Sequence, residues 1–295
     1  MKIGFECPEC LIHRGFIEIQ KATTDNNVRK RAMIEVVKQI SKELSENSVP
    51  SYVGTKRDRI IRSITKNSDP FREDKSKSNR MALKILPLVE HFISDGEDAY
   101  SRLERAFLAS IVGNCMEFGI LGYDFHYDDL INEVQKAKTN LAINDIEKIY
   151  DQVIRSKEIL FLTDNAGEIV FDRLLLEEIK SLDLRITVAV KDSPVSNDAT
   201  LEDAKIARIR KVADRLITTG SDALGFIPEY CSIEFLEVFN KSDFIIAKGM
   251  AHLETLTEYK NKPPRAILLR AKCNPIANYL GVQMGQNVAK IFKTT

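Results

Sequence analysis

The 295-residue chain has no tryptophan, no excess of either charge and no long apolar run. The missing tryptophan decides little. Lys plus Arg and Asp plus Glu both number 43, and a formal net charge of zero argues against general nucleic-acid binding. No uninterrupted apolar span reaches membrane length, and the first fifteen residues hold no apolar core of signal-peptide size. These absences predict a soluble, cytoplasmic protein without a membrane or nucleic-acid partner. Cysteine is scarce: Cys7, Cys10, Cys115, Cys231 and Cys273 form an odd, dispersed set unlike a secreted disulfide framework. Cys115 falls in an apolar helical pattern, which suits a small buried hydrophobe. There is no internal repeat, no low-complexity tract and no obvious linker. After the first strand of the alternating region there is also no glycine-rich G-x-G turn of the kind that lets a backbone approach a nucleoside cofactor.

What is present is enough apolar residue, 44% of the chain, to bury a substantial core as one large domain or two smaller ones. Residues 1–156 read as mostly helical. Val28, Ala32, Met33, Val36, Val37, Ile40 and Leu44 recur at helical spacing, and Asp25 or Asn26 can cap that helix. Lys56, Arg57, Arg59 and Arg62, interrupted by Asp58, predict a solvated basic face. Pro50, Pro70 and the polar stretch 68–79 punctuate the helices. Further helices are predicted over 81–93, with Pro87 able to kink it, and over 98–118, where Gly113 and Asn114 interrupt. Residues 157–295 then alternate strand and helix: strands at 159–162, 185–190, 215–218, 243–247 and 266–269, helices from 168, 200–212 and 232–240, and a last helix started by Pro275. Such alternation predicts an α/β fold, with a mainly parallel, doubly wound sheet covered by helices on both faces and preceded by a mostly helical amino-terminal part packed on it.

The chain is organised around residues 158–181. Ile159, Leu160, Phe161 and Leu162 form an apolar run suited to a strand buried on both faces; a turn at 163–167 and an amphipathic helix follow. Asp164 and Asn165 therefore fall at the carboxyl edge of the sheet, where ligands bind. Two chemistries compete there. Both residues are common helix N-caps, and a carboxylate beside an amide carbonyl also suits a hard cation such as Mg²⁺ or Mn²⁺. Asp198, beyond the next strand, can supply a third oxygen or cap the helix at Thr200, and Asp192 is a rival. Lys248, between a strand and Gly249, is placed to hold an anion as a point charge, with Gly249 allowing close backbone approach; an ordinary strand-end lysine is the plainer alternative.

The run DNAGEIVFD at 164–172 resembles the signature of the damage-control phosphatases, a family of metal-dependent phosphatases long described as a domain of unknown function. VKDSPVSNDAT (190–200), AKGMAHLE (247–254) and AKCNPIANYLGV (271–282) resemble its later segments. SDPFREDKSKSN (68–79) and GNCMEFG (113–119) match weaker patterns, and Cys7 to Cys10 match the amino-terminal CxxC of one subfamily. Each match is weak alone; the family order from residue 7 to about 282 is what carries weight. The resemblance implies Asp164, Asn165 and Asp198 as metal ligands, for manganese, nickel, cobalt or magnesium. It raises Lys248 to a site residue, with Asp164 and Asp198, and makes Lys272 a second phosphate candidate. Asn114, Glu168, Asn197, Gly249 and Glu254 would border the substrate; Glu168 alternatively favours its helix N-terminus through the dipole. The substrate implied is a small phosphorylated metabolite, a damaged purine nucleotide or a sugar phosphate.

Either a water activated by the metal or an aspartate can be the nucleophile. The central strand lacks the DxDx(T/V) pattern of the haloacid-dehalogenase phosphatases, which favours water. Cys7, Cys10 and His13 space as CxxCxxH, but no second CxxC closes a zinc site, and a structural role competes with metal or redox chemistry. The family has also been described as carboxyl methyltransferases using S-adenosylmethionine, and a non-catalytic metabolite or metal sensor would keep the same ligands. One departure stands out: Glu117 occupies a position where the family more often has Asp.

Overall fold

The computed structural model describes residues 1–117, 120–123, 126, 129–259 and 263–292. Seven strands form one sheet: β1 (Leu141–Asn144), β2 (Glu158–Leu162), β3 (Arg185–Val190), β4 (Arg215–Thr218), β5 (Phe244–Lys248), β6 (Arg265–Arg270) and β7 (Asn287–Phe292). Their order is β1-β7-β6-β5-β2-β3-β4. β2 to β6 are mutually parallel, β7 is antiparallel to β6, and β1 runs parallel to β7. The fold is therefore the expected α/β sheet, mainly parallel, with two reversed strands at one edge. Neither β1 nor β7 is apparent in the sequence pattern.

β2 shows why the sheet is covered on both faces. Ile159 and Phe161 join one apolar cluster, together with helices α4 (Arg72–Ser94), α5 (Ala99–Gly113) and α8 (Glu168–Lys180). Leu160 and Leu162 point the other way, into a cluster containing Phe235 and Phe239 of α10 (Ile233–Lys241), Leu253 of α11 (Met250–Leu256) and Ile276 of α12 (Asn274–Leu280). The period-2 alternation of a strand does this without any polar face. The first three helices, α1 (Cys7–Ala22), α2 (Asn26–Glu43) and α3 (Pro50–Thr65), pack round a smaller cluster of their own, including Leu11, Val36 and Ile61. Asp25 caps α2, its carboxylate accepting from the N–H groups of Asn27 and Val28. The remaining helices are α6 (Leu130–Gln135), α7 (Ile146–Arg155) and α9 (Leu201–Ile206).

Three boundaries differ from the sequence pattern. α4 begins at Arg72, inside the polar stretch read as punctuation. α5 stops at Gly113; Phe118 and Gly119, assigned to that helix and to the 113–119 motif, lie outside the described residues. α9 ends early, followed by a short 3₁₀ turn at Ile209–Lys211, because Arg208 takes a left-handed conformation with φ of 58°. The basic face of α3 is not solvated as expected. Arg57 is buried against Asp58, and Arg59 and Arg62 both clasp Asp222. Among the described residues no helix is long and apolar enough to cross a membrane.

From β2 the chain winds outward through β3 and β4, and β5 then returns to the opposite side of β2. The carboxyl ends of β2 and β5 therefore flank the switch point, where such sheets open a crevice.

Candidate active site at the switch point

Asp164 and Asn165 follow β2; Gly249 follows β5. Neither Asp164 nor Asn165 caps α8, whose N-terminus at Gly167 has no side-chain cap. The capping role proposed for Asp198 is filled elsewhere: Thr200 and Asp203 form a reciprocal capping box for α9. The loops carrying Asp164 and Asp198 are laced by backbone bonds, from Ala199 N to Asp164 O at 2.7 Å and from Ala166 N to Asn197 O at 2.9 Å. Asn165 and Asp198 pair as an isolated bridge. Asp192 is exposed and accepts from Thr218, away from this group.

Asp164 is held by amides rather than cations. Asn114 and Asn165 donate to its Oδ2 at 2.8 and 2.9 Å. Burial pushes its carboxyl well above the usual range, and Glu168 and Asp198 push the same way. Asp198 is pushed up to about 7 by burial, opposed by Lys191. Its Oδ2 is buried without a hydrogen-bond partner, with Lys191 Nζ 3.6 Å away. Gly249, at φ of +82°, lies so close that a Cβ there would run into the Asp164 carboxylate. Two under-neutralised carboxylates and an amide oxygen, with backbone brought close around them, fit a hard divalent cation. Among the described residues no three His, Cys, Asp or Glu side chains form a metal-binding group. The candidate set therefore needs Asn165 as its third member, and Cys7, Cys10 and His13 make no such group.

A cavity of about 330 Å³ opens over these residues. Of the site residues expected from the sequence, Asp164, Asp198 and Glu254 line it, together with Cys7, Cys10, Arg57, Glu117 and Cys273. Asn114, Asn165, Glu168, Asn197, Lys248, Gly249 and Lys272 stand behind that lining. Lys248 is fully buried, donating to Ser110 O at 2.8 Å and pairing with Asp172 at 2.9 Å and Glu168 at 2.7 Å. Its charge is thus spent on two carboxylates that flank the site from behind. Lys272 donates to Asn114 O at 2.7 Å and pairs with Glu117 at 3.1 Å. Asn114 is the hub of this layer. Its amide nitrogen reaches Asp164 and both oxygens of Glu168, while its oxygen accepts from Arg270 N. Glu254 accepts from Ser51 at 2.5 Å, and burial raises its carboxyl.

Sequence reasoning missed several members. Asn79 accepts from Gly167 N at 2.8 Å and donates to Asp203 at 2.7 Å, fixing the turn after Asp164 to the start of α9. Ser110 donates to Asp172 at 2.6 Å. Arg14 reaches in from α1 to Ser196 and Glu117. Asn79 lies in a motif match, at 68–79, and Glu117 in another; Ser110 and Arg14 carry no local signal.

The domain described as "Damage-control phosphatase ARMT1-like domain" matches residues 5–288. The chain belongs to this damage-control phosphatase family. Among its relatives, an uncharacterized protein of Methanocaldococcus jannaschii is 41% identical over 98% of this chain and 95% of its own length. A damage-control phosphatase of Archaeoglobus fulgidus is 36% identical over 99% of both chains. The crystal structure of a DUF89 family protein from Pyrococcus horikoshii superposes with a TM-score of 0.88 at 36% identity, covering 99% of this chain and 100% of that one. The family assignment thus extends to the whole switch-point architecture, helices and sheet together.

Proposed function

We propose that this member of the family is a metal-dependent phosphomonoesterase acting on small phosphorylated metabolites in a damage-control role. The observation that carries the reading is the pair of Asp164 and Asp198 lining a small cavity, with Asn165 directly behind them, bonded to Asp164 and bridged to Asp198. The names of its relatives support the reaction class. Asp164, Asn165 and Asp198 would hold a divalent cation of the manganese, magnesium, nickel or cobalt type. Such an ion, when bound, would supply positive charge against the negative charge developing on a phosphoryl group and would lower the pKa of a water. The chain's own part is positional. Asn114 and Gly249 fix the Asp164 carboxylate from two sides, and Lys248 keeps Glu168 and Asp172 anchored beneath it. The cavity is of a size suited to a small organic phosphate, and Leu11, Leu224, Met250 and Met284 give its walls apolar surface. The CxxC, read as the mark of one subfamily, lines the same cavity through Cys7 and Cys10.

The deciding experiment measures phosphate release from nucleotide monophosphates and sugar phosphates by metal-stripped protein with single metals restored, beside Asp164→Ala. Release that needs metal and Asp164 is expected. Folded wild-type protein that releases none with any metal overturns the phosphatase reading.

A further inference from the structure

One face of α1 forms a wall of the cavity. Cys7, Cys10, Leu11 and Arg14 recur at helical spacing, and all four line it. Arg14 belongs to the deep end, because its Nη2 donates at 2.7 Å to Ser196 Oγ, two residues before Asp198. Its other partner is weak: Nη1 and Nη2 share a single oxygen of Glu117 at 3.4 and 3.3 Å. The second oxygen of Glu117 is taken by Lys272. The Glu117 carboxylate thus lies between these two cations.

The other buried cations around the site are committed. Lys248 has three close partners, Lys272 has two, and Lys191 donates to Gly225 O at 2.8 Å while facing Asp198. None of the three lines the cavity. Arg57 does, but its guanidinium is clasped by Asp58 at 2.6 to 2.7 Å and by Leu11 O at 3.2 Å. Among the described residues, a phosphate ester seated over Asp164 and Asp198 would therefore meet one cation with loosely used N–H groups, Arg14. A guanidinium also matches phosphoryl oxygens two at a time, which an ammonium does not.

We propose that Arg14 is the phosphate-gripping residue of this site: on binding a phosphomonoester, its Nη groups turn from Glu117 to the phosphoryl oxygens while the bond to Ser196 keeps it in place. The assignment rests on the phosphatase reading of the site. It places α1, with its Cys7, Cys10 and Arg14 stripe, along the substrate rather than in a separate structural role.

The test uses full-length Arg14→Gln and Arg14→Lys, with folding checked by circular dichroism and thermal melting. p-Nitrophenyl phosphate is the substrate, inorganic phosphate the inhibitor and Mn²⁺ the metal. In Arg14→Gln, KM and the phosphate inhibition constant should both rise roughly tenfold or more, with Arg14→Lys between it and wild type. Mn²⁺ affinity, by calorimetry, should stay within about twofold, because Arg14 contacts no candidate ligand. A folded variant with KM and phosphate inhibition within about twofold of wild type overturns the proposal. If Arg14→Gln does not fold, Arg14→Lys alone decides by the same measures. If wild type turns over no ester, the phosphatase reading has failed separately. Calorimetry of inorganic phosphate with Mn²⁺-loaded protein then judges Arg14: weaker binding in the variant supports it, and equal or no binding overturns it.

Discussion

At the residue scale, the distribution of charge separates groups that meet a ligand from groups that hold the site up. Lys248 lies fully buried between Glu168 and Asp172. Removing one partner of a buried ion pair leaves the other uncompensated, which costs about 3–5 kcal/mol. Lys248→Met should therefore lower unfolding stability by about that amount in urea titration, beyond any loss of turnover. Full stability with lost phosphate binding would instead make Lys248 a direct anion partner. Gly249→Ala tests the other flank of Asp164. The positive φ and the collision with the carboxylate are both unavailable to alanine without movement. Turnover should fall by roughly a hundredfold or more, since a shift of about 1 Å in a positioned group has that effect. An unaltered rate would mean that Asp164 tolerates displacement. Asp164 and Asn165 stand out in the sequence because oxygen-bearing side chains directly follow an apolar strand run, whereas Asp198, eight residues beyond the end of β3, is singled out by the resemblance of its segment rather than by its place after the strand. Arg14 and Ser110 are marked by neither. Each reaches the site from a helix far away in sequence, and nothing in its own neighbourhood records that encounter.

At the element scale, the strands with continuous apolar runs, β2, β3 and β5, were readable to within a residue, since burial on both faces leaves no polar alternation to confuse. β1 and β7 were lost for the opposite reason. β1 is a four-residue edge strand of alternating half-buried and exposed positions, and β7 has its last three residues half-buried. Both depend on pairing with distant chain. α4 likewise runs through a stretch whose polarity looked like a loop; its Lys75 is buried against Asp69 and its Asn79 against the Asp164 turn. α11 adds a titration that local pattern could not disclose. His252 is buried with Nδ1 2.7 Å from Lys248 O, and burial lowers its pKa to about 3. Its ordinary value is about 6.5, so between pH 6.5 and 3 the unfolded chain binds the proton and the folded one does not. This contribution to stability is complete above pH 6.5 and lost as pH falls. By pH 4 the loss approaches roughly 3 kcal/mol. His252→Asn, which can still donate to Lys248 O, should remove that part of the acid sensitivity. Denaturant titrations of wild type and variant at pH 7, 5.5 and 4 would show their stability difference shrinking or reversing as pH falls; a constant difference would rule out the buried neutral imidazole.

At the scale of the whole molecule, the sheet's change of direction beside β2 gathers acidic side chains that the bare protein cannot fully neutralise. The Asp164 carboxyl is raised in the folded state above its ordinary value near 3.9, so its ionisation opposes folding at neutral pH and does not below that value. A bound cation reverses this penalty. At a metal concentration about 100 times Kd, binding contributes roughly 2.7 kcal/mol, enough to raise Tm by about 4–6 °C. Asp164→Asn keeps an oxygen for the Asn114 and Asn165 amides but carries no charge. It should be as stable as metal-free wild type or more so, show little or no rise in Tm with Mn²⁺, and lose turnover. Melting curves of both proteins in chelator and in Mn²⁺ distinguish the possibilities. If Asp164→Asn is less stable than metal-free wild type and still gains the full metal shift, the carboxylate is a structural group and the cation lies elsewhere. If the metal-free variant is the more stable and the shift disappears, the fold is carrying an unfavourable charge at its switch point, which is the arrangement expected where a ligand rather than the protein completes the site.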